Sequence, residues 1–353
     1  MPTFSLEPIT IEAVYACVPP NRMKTKDDPL FDSDQGQLFV KSTGVIERRV
    51  ADAKTTCSDL CFSAASLLLK ELNCADDIDL LLFVSQSPDY FLPATSIVLQ
   101  EKLKLPSHVM AFDINLGCSG YTYGLITAAQ YIQSGAARKV LLLVGDKSTL
   151  STHPKDRSTA PLFGDAGTAS LISASASKRS MAVDAGSDGK GSHAIIIPGG
   201  HSRNPYGTFS SEPYEQEGLI RTKNHLHLDG LAVFNFALQR VPSSIARVLQ
   251  QAQIEMKDLD YVVLHQANQL ISSTVEKKMS IPSEKMLHSI AVFGNTSSAS
   301  IPLTMAWNAD KAIATKYYTW LLCGFGVGLS WSTLCFSMPW PKTKLFDYEF
   351  LEG

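Results

Sequence analysis

The chain has 353 residues, 45% of them hydrophobic, so it is long enough for about two domains or one large layered domain. Its 31 Lys and Arg residues nearly balance 34 Asp and Glu residues, and the net charge of -3 argues against nucleic-acid binding. The first ten residues do not resemble a signal peptide, and no apolar run approaches the length of a membrane span. We therefore predict a cytoplasmic protein that does not bind membranes.

The seven cysteines do not form a pattern that predicts disulfides or a metal site. Their number is odd, no CxxC pair occurs, and Cys57 and Cys61 have no matching His or Cys pair nearby. Secreted disulfide scaffolds usually carry an even set of cysteines. The sequence therefore predicts reduced thiols and no bound metal.

The first half of the chain alternates between strand and helix patterns. Residues 27–37 are polar and acidic, which predicts a surface segment. Helices are predicted at 58–72, 94–103 and 121–133, and strands at 4–18, 79–84, 109–112 and 138–145. This order is typical of α/β proteins.

One cysteine lies between a predicted strand and a predicted helix, in the segment DINLGCSGYTYG. The free N–H groups and the dipole at a helix N-terminus favour a thiolate, which predicts a lowered pKa for Cys118. Gly117 and Gly120 would allow the backbone a tight bend and leave space above the sulfur. The alternative is that Cys118 is a small buried hydrophobic residue.

Three landmarks of the first half recur in the second half in the same order. The matched pairs are Asp79 with Asp260, Cys118 with Asn295, and Leu143 with Leu322, at offsets of 181, 177 and 179 residues. The nearly constant offset predicts a duplicated fold with halves at residues 1–179 and 180–353. Residues 199–224 are rich in Gly, Pro, Ser and Tyr and predict a long loop, which is usually functional or mobile at this length.

The duplication places three polar side chains at equivalent strand ends. Ligands of open α/β sheets bind beyond the carboxyl ends of strands, where we expect Cys118, His265 and Asn295 to meet. These residues could form a papain-like hydrolase, or they could transfer an acyl group onto sulfur while His and Asn donate hydrogen bonds to a second carbonyl oxygen. The duplicated layout favours acyl transfer. Taken singly, a buried histidine and a turn asparagine are the alternatives.

Four motifs resemble those of the ketoacyl-acyl-carrier-protein synthase III family, whose members are condensing enzymes with the thiolase fold. They are GCSG at 117–120, HQAN at 265–268, GNTSSASIP at 294–302 and GFGVGLSW at 324–331. The resemblance extends from about residue 8 to residue 336. It implies an α/β fold of the duplicated, thiolase-like type, with five layers in the order αβαβα, and a homodimer.

The resemblance also implies a two-step reaction. Cys118 takes an acyl group from acyl-CoA or from an acyl carrier protein, and a malonyl thioester then loses CO2 and attacks the acyl-cysteine to give a β-ketoacyl product. Backbone N–H groups of Cys118 and Val327 would hold the first oxyanion, and His265 Nε2 and the Asn295 amide would hold the enolate. Besides acyl-CoA or acyl carrier protein and malonyl-CoA or malonyl carrier protein as substrates, no cofactor is implied.

Several positions that recognise the thioester donor in the family differ here. Leu38 and Ser42 stand where the family has an adenine-stacking tryptophan and an arginine, and Leu270 replaces an arginine that helps to dock the carrier protein. Planar and bidentate cation contacts are lost by these changes. We therefore predict unusual donor recognition, with the thioester or carrier protein held through Lys41, Arg48 or the long loop.

The resemblance assigns three further residues to substrate binding. Arg157 matches the arginine on the second side of the adenine. Leu92 lies at the tip of a loop that reaches across the family's dimer, and Asn268 is the last residue of HQAN.

Related enzyme classes have different residues at several of these positions. An enzyme like hydroxymethylglutaryl-CoA synthase would carry a glutamate base where Gln86 stands, and plant-type polyketide synthases have GFGPG where this chain has GFGVG. Relatives that form esters, amides or quinolones usually alter the His–Asn pair, which is intact. Decarboxylative condensation is the leading interpretation, and acyl transfer without condensation and a non-catalytic dimer partner are the alternatives.

The remaining features are expected to be structural. FGDAG at 163–167 resembles a structural turn of the family, and His225 and His227 are expected to face solvent. Residues 336–353 form a C-terminal extension to which the sequence assigns no role.

Overall fold

A computed structural model describes residues 3–311 and 316–349, which form two large β-sheets with helices around them. The strands are β1 Thr3–Leu6, β2 Ile9–Val18, β3 Arg22–Lys24, β4 Glu47–Arg49, β5 Leu80–Val84, β6 Met110–Ile114, β7 Lys139–Asp146, β8 Ala166–Ala174, β9 Met181–Ser187, β10 Ile195–Ile196, β11 Tyr214–Gln216, β12 Leu219–Arg221, β13 His227–Leu228, β14 Tyr261–Leu264, β15 Tyr317–Gly326, β16 Ser330–Pro339 and β17 Lys342–Asp347. The α-helices are α1 Ser33–Thr43, α2 Cys57–Leu72, α3 Thr95–Lys102, α4 Gly120–Gln133, α5 Ser148–Ser151, α6 Gly230–Ala252, α7 Gln269–Met279, α8 Ile290–Phe293 and α9 Ser300–Trp307.

The two large sheets share one topology. One has the order β17-β2-β8-β7-β5-β6 and the other has the order β1-β9-β16-β15-β14. In each, two parallel strands, β5 with β7 and β14 with β15, are followed by two antiparallel pairings. A parallel bridge between Val262 and Met286 stands where β6 stands in the first half. The predicted duplication is therefore confirmed.

The helices complete five layers. Helices α2 and α3 cover the outer face of the six-stranded sheet, and α6 and α7 cover the outer face of the five-stranded sheet. Between the sheets lie α4 and α9, which pack against both. The central core contains the buried residues Val84, Leu142, Leu322 and Trp320. The layers follow the predicted order αβαβα.

Each large sheet contains an edge strand from the opposite half of the chain. β1 pairs with β9, whereas β17 pairs in parallel with β2. The prediction of one strand over residues 4–18 is wrong, because Glu7 and Pro8 separate two strands that join different sheets. The division at residues 179 and 180 stays a proposal, since each sheet receives an edge strand from the opposite half.

β17 shows what most of the C-terminal extension does. Its Leu345 and Phe346 pack against the cores, and Asp347 accepts a hydrogen bond from the buried Arg49 at 2.8 Å. Lys342 and Lys344 pair with Glu71 of α2. The extension therefore packs on the first half as an edge strand. Residues 350–353 lie outside the described residues.

Of the three helices predicted from the sequence, only α2 begins at a residue with a side-chain cap, and α1 in the acidic segment was not predicted. α2 carries a capping box in which Thr56 and Asp59 each accept a hydrogen bond from the other's backbone N–H. The acidic segment 27–37 is not only a surface segment, because Asp32 caps α1 by accepting from Gln35 N at 2.8 Å. The long loop 199–224 contains the β11–β12 hairpin. Across residues 3–311 and 316–349, no helix is both long and apolar enough to span a bilayer.

Candidate active site

A cavity of about 360 Å³ opens between the two halves. Cys118, His265 and Asn295 all line it, as do Val327 and Asn268. Its apolar lining includes Ile195, Ile196, Leu226, Leu228, Val233 and Phe325. The three residues expected at equivalent strand ends thus reach one space whose lining is largely apolar.

Cys118 lies in the turn between β6 and α4, two residues before the helix begins. Backbone N–H groups of Val327 and of Cys118 itself favour the thiolate and lower the pKa of the sulfur. Burial acts more strongly and raises the pKa of Cys118 to about 11, although the residue keeps part of its exposure to solvent. The predicted lowering of this pKa is therefore wrong, because the protein around the sulfur removes more solvation than the helix end replaces.

The glycines near the sulfur are needed mainly because a side chain there would collide with its neighbours, and only some of them have an unusual backbone conformation. Gly117 and Gly120 do not have positive φ values, but a Cβ at Gly117 would lie 2.5 Å from Gln86 Oε1. Gly326 has φ of +147°, and a Cβ there would lie 2.7 Å from Cys118 Sγ. We therefore find no strained bend at 117–120, and the two glycines instead allow neighbouring loops to pack closely around the cysteine.

His265 follows β14 and is almost completely buried, with 1% of its surface exposed. Its Nδ1 is hydrogen-bonded with Ser300 Oγ at 2.7 Å, and the ring meets Phe325 edge to face. Burial lowers the pKa of His265 to about 3, so the imidazole is neutral at pH 7. With Nδ1 engaged, Nε2 is the ring nitrogen left for a ligand.

Asn295 sits in the turn between α8 and α9 and has a fixed orientation. Its Oδ1 accepts from Ser297 N at 2.9 Å, and its Nδ2 donates to Ala267 O at 3.3 Å. Its backbone is tied to the FGDAG segment, since Asn295 N donates to Leu162 O and Gly164 N donates to Asn295 O. One N–H of the amide remains for a ligand in the cavity.

The other residues assigned to substrate binding lie in three different settings. Asn268 lines the cavity and also caps α7 by accepting from Ile271 N at 2.8 Å. Arg157 is exposed and Leu92 is 76% exposed, and neither is among the residues that line the cavity. Their roles stay predictions.

Two expectations about the cavity mouth are wrong. Arg48 is not free to hold a donor, because it is buried and pairs with Asp28 at 3.2 Å. His225 and His227 do not simply face solvent. Both are half-buried, with His225 packed edge to face on His153 and His227 Nε2 bonded to Thr222 O.

The sequence did not single out three side chains near Cys118. Asp146, Ser297 and Ser300 are all buried, and the first two line the cavity. Asp146 ends a buried strand, so its strand-end position could have identified it, and membership of GNTSSASIP could have pointed to the two serines. Within the described part of the chain, no cluster of His, Cys, Asp and Glu could hold a metal ion.

Comparison with known proteins agrees with this geometry. The chain matches the model of 3-oxoacyl-[acyl-carrier-protein (ACP)] synthase III over residues 112–189 and the model of its C-terminal part over residues 249–338. The beta-ketoacyl-[acyl-carrier-protein] synthase III of Rhodopirellula baltica is 34% identical over 337 residues, which cover 90% of this chain and 95% of the relative. The corresponding protein of Clostridium tetani is 34% identical over 307 residues, covering 85% and 89%.

The fold is similar over almost the whole chain. The crystal structure of 3-oxoacyl-(acyl-carrier protein) synthase from Burkholderia xenovorans LB400 matches with a TM-score of 0.90 at 36% identity, and the match covers 98% of this chain and 99% of that chain. The predicted thiolase-like fold and family are therefore confirmed. The chain belongs to the 3-oxoacyl-[acyl-carrier-protein] synthase III family of condensing enzymes.

Proposed function

We propose that the chain acylates Cys118 from an acyl thioester and condenses the acyl group with a malonyl thioester by decarboxylation. The observation that carries this proposal is that one cavity contains Cys118, His265 and Asn295. The N–H groups of Val327 and Cys118 converge on the sulfur of the same site. A nucleophile, an oxyanion hole and two further donors are the groups that the two steps need.

In the first step, the Cys118 sulfur attacks the carbonyl carbon of the donor, and the thiolate of the donor leaves. Negative charge develops on the carbonyl oxygen beside the sulfur, within reach of the Val327 and Cys118 N–H groups. Preorganised backbone donors of this kind lower the barrier without reorganising during the reaction.

In the second step, the C–C bond to the malonyl carboxylate breaks, CO2 leaves, and the electron pair forms an enolate. The enolate carbon attacks the acyl carbon, and the Cys118 thiolate is the leaving group. His265 Nε2 and the free Asn295 N–H are placed to hold the enolate oxygen. A neutral imidazole that accepts the Ser300 hydroxyl proton at Nδ1 carries its own proton at Nε2, which is the tautomer that this contact needs.

Intact-protein mass spectrometry tests the proposal. The protein is incubated with acyl-CoA and acyl carrier protein thioesters and then chased with a malonyl thioester. We expect the wild type to gain the mass of the acyl group. Cys118→Ala should show no gain, whereas Cys74→Ala, at a remote cysteine, should gain the same mass. The malonyl thioester should then remove the acyl group and release a β-ketoacyl thioester. His265→Ala and Asn295→Ala should still be acylated but should condense on the order of 100-fold more slowly.

Two outcomes would contradict the proposal. Acylation that the malonyl thioester does not clear would indicate simple acyl transfer. A wild-type protein that no donor acylates would indicate a non-catalytic partner.

Donor recognition is proposed to differ from the family pattern. Leu38 and Ser42 both lie on α1 one turn apart and are exposed, and Leu270 on α7 is 51% exposed. Apolar or uncharged side chains thus stand where the family has a tryptophan and two arginines. We expect the double variant Leu38→Trp, Ser42→Arg to raise kcat/KM for acyl-CoA relative to acyl carrier protein. An unchanged ratio would show that these positions do not control the donor.

We also propose that two copies associate through the edge strand β6. Met110 on this edge is exposed, and Tyr90, Phe91 and Leu92 nearby are 60–77% exposed, which is unusual for adjacent large apolar side chains. Phe91→Glu should lower the mass measured by analytical ultracentrifugation, whereas Leu150→Glu, at another exposed leucine, should not. The seven free thiols are compatible with the proposed reducing, cytoplasmic location.

A further inference from the structure

Part of the cavity lining is polar and has no role in the two proposed steps. Gln86, Asn115 and Ser148 line the same cavity as Cys118. Pockets for small molecules are mostly apolar, and the few polar groups in them fix the orientation of the ligand and provide specificity. These three residues are therefore candidates for recognising the acyl group that the cysteine carries.

The topology of the six-stranded sheet brings the three residues together. Strands β7, β5 and β6 are parallel neighbours in this order. The last residues of β5 and β6 are paired with each other, and β7 runs two residues further. Gln86 follows β5, Asn115 follows β6 and Ser148 follows β7, each within two residues of the strand end. Because neighbouring strands lie about 4.8 Å apart, the three residues occupy one stretch of the edge at which α/β sheets bind ligands.

The hydrogen bonds around these residues show which groups are left for a ligand. In the part of the chain that the structure describes, none of the three side chains has a hydrogen-bonding partner. Two neighbouring polar groups are engaged, since Ser87 Oγ accepts from Lys147 N at 3.1 Å and Asp146 Oδ1 accepts from Gln86 N at 2.7 Å. The backbone of Gln86 is thus fixed, whereas its side-chain amide is free to pair with a group in the cavity.

The Gln86 amide lies beside the nucleophile. A Cβ at Gly117, the residue before Cys118, would lie 2.5 Å from Gln86 Oε1, whereas ordinary contacts begin at 3.4 Å. Any side chain at Gly117 would therefore displace the amide, and the glycine leaves room for it. An acyl group on the cysteine sulfur consequently has the amide near its first few carbons.

The charges of the lining indicate a neutral group. Among the described residues that line the cavity there is no lysine or arginine, so an anionic substituent would find no cation to pair with. The carboxyl oxygens of Asp146 already accept from four donors, which leaves little for a cationic one. Amide and hydroxyl side chains offer both donors and acceptors. A hydroxyl group on the ligand pairs with both kinds, whereas an oxo group pairs with donors alone.

We propose that the acyl group placed on Cys118 carries a hydroxyl group on its second or third carbon. Gln86, Asn115 and Ser148 bind this hydroxyl group. An unsubstituted alkyl chain in the same place displaces solvent from the three side chains and gives no hydrogen bond in return. A site that pairs with a hydroxyl group discriminates against the analogue that lacks it. This inference rests on the proposed acylation of Cys118.

Matched thioesters test the proposal. Butyryl, 2-hydroxybutyryl and 3-hydroxybutyryl groups, the last two as separate enantiomers, are offered as coenzyme A thioesters and as acyl carrier protein thioesters. Acylation of Cys118 is followed by intact-protein mass spectrometry. Within one carrier, the ratio of kcat/KM values reports on the acyl group alone. We expect at least one hydroxyacyl group to react with the wild type about tenfold faster than butyryl or more.

Two variants and a control assign the preference to these side chains. Gln86→Met keeps the length of the side chain and removes its hydrogen-bonding groups, so the preference should fall to about twofold or less. Butyryl itself should acylate this variant at least as fast as the wild type, which a merely damaged site would not do. Ser148→Ala should lower the preference about threefold. Gln250→Met, at an exposed glutamine of α6, should leave it unchanged.

Two results would overturn the proposal. One is a wild type that butyryl acylates as fast as every hydroxyacyl group, and the other is a Gln86→Met variant that keeps the full preference. Failure of the proposed function is recognised separately, because no thioester would then acylate the wild type. In that case calorimetric dissociation constants of the same thioesters for Cys118→Ala, which binds without reacting, still measure the preference, and equal constants would overturn it.

Discussion

Replacing Gly326 with alanine tests whether the space beside the nucleophile is required. A Cβ at this position would lie 2.7 Å from Cys118 Sγ, whereas ordinary contacts begin at 3.4 Å, so the sulfur or the loop must move by 0.7 Å. A misplacement of about 1 Å costs about 100-fold in rate. We therefore expect acylation of Cys118 to slow on the order of 100-fold, and the free energy of unfolding to fall by about 1–3 kcal/mol from overpacking.

The assay combines a mass-spectrometric time course of Cys118 acylation with urea unfolding. Gly135→Ala is the control, because Gly135 also has positive φ, +76°, but has no heavy atom within 4 Å of a Cβ. The control measures what alanine costs at a positive φ in open space. The larger effect expected at Gly326 combines the contact with sulfur and the greater strain of alanine at φ of +147°. The reasoning would be refuted if Gly326→Ala were acylated at the wild-type rate and were as stable as Gly135→Ala.

Three other predictions concern stability, measured by denaturant unfolding. The pKa of His265 is lowered from 6.5 to about 3, so between these values only the unfolded chain takes up the proton as the pH falls. Between pH 7 and pH 5 the free energy of unfolding of the wild type should therefore fall by about 2 kcal/mol more than that of His265→Asn. Equal decreases in the two proteins would contradict this. Arg247 pairs through Nε at 2.6 Å with Asp184, which is fully buried, so Arg247→Ala should lower the free energy of unfolding by about 3–5 kcal/mol. Arg138 forms an exposed ion pair, and Arg138→Ala should lower it by about 1 kcal/mol or less. Ending the chain before β17 should cost about 3 kcal/mol or more, because it uncovers β2 and removes Phe346 from the core; an unchanged unfolding midpoint would show that the edge strand is dispensable.

Those parts of the fold that depend on local patterns could be predicted from the sequence. The apolar runs at β5, β7 and β14 are buried on both faces, and such runs are recognisable without knowledge of the partner strand. The meeting of Cys118, His265 and Asn295 was an inference from strand ends in a duplicated sheet, and all three line one cavity. Repetition within the chain supplied the long-range information that a single strand lacks.

Other features depend on contacts that the sequence does not encode locally. β17 pairs with β2 across more than 300 residues, and its short pattern does not reveal to which sheet it belongs. The pKa of Cys118 was mispredicted for a related reason. The helix end could be recognised from neighbouring residues, but the burial that dominates depends on long-range packing, in which Gly326 of the other half lies close to the sulfur.

The directions of the pKa shifts explain how this site is arranged. Raising the pKa of Cys118 and lowering that of His265 both favour neutral side chains at pH 7, so the resting site does not hold a thiolate–imidazolium pair. In the proposed reaction, charge then arises only during the two steps, on the carbonyl oxygen beside the Val327 N–H and on the enolate oxygen near Asn295. Donors aimed at those positions stabilise the transition state more than the ground state, which is the condition for a faster chemical step. A site built in this way has to remove the thiol proton as the new bond forms.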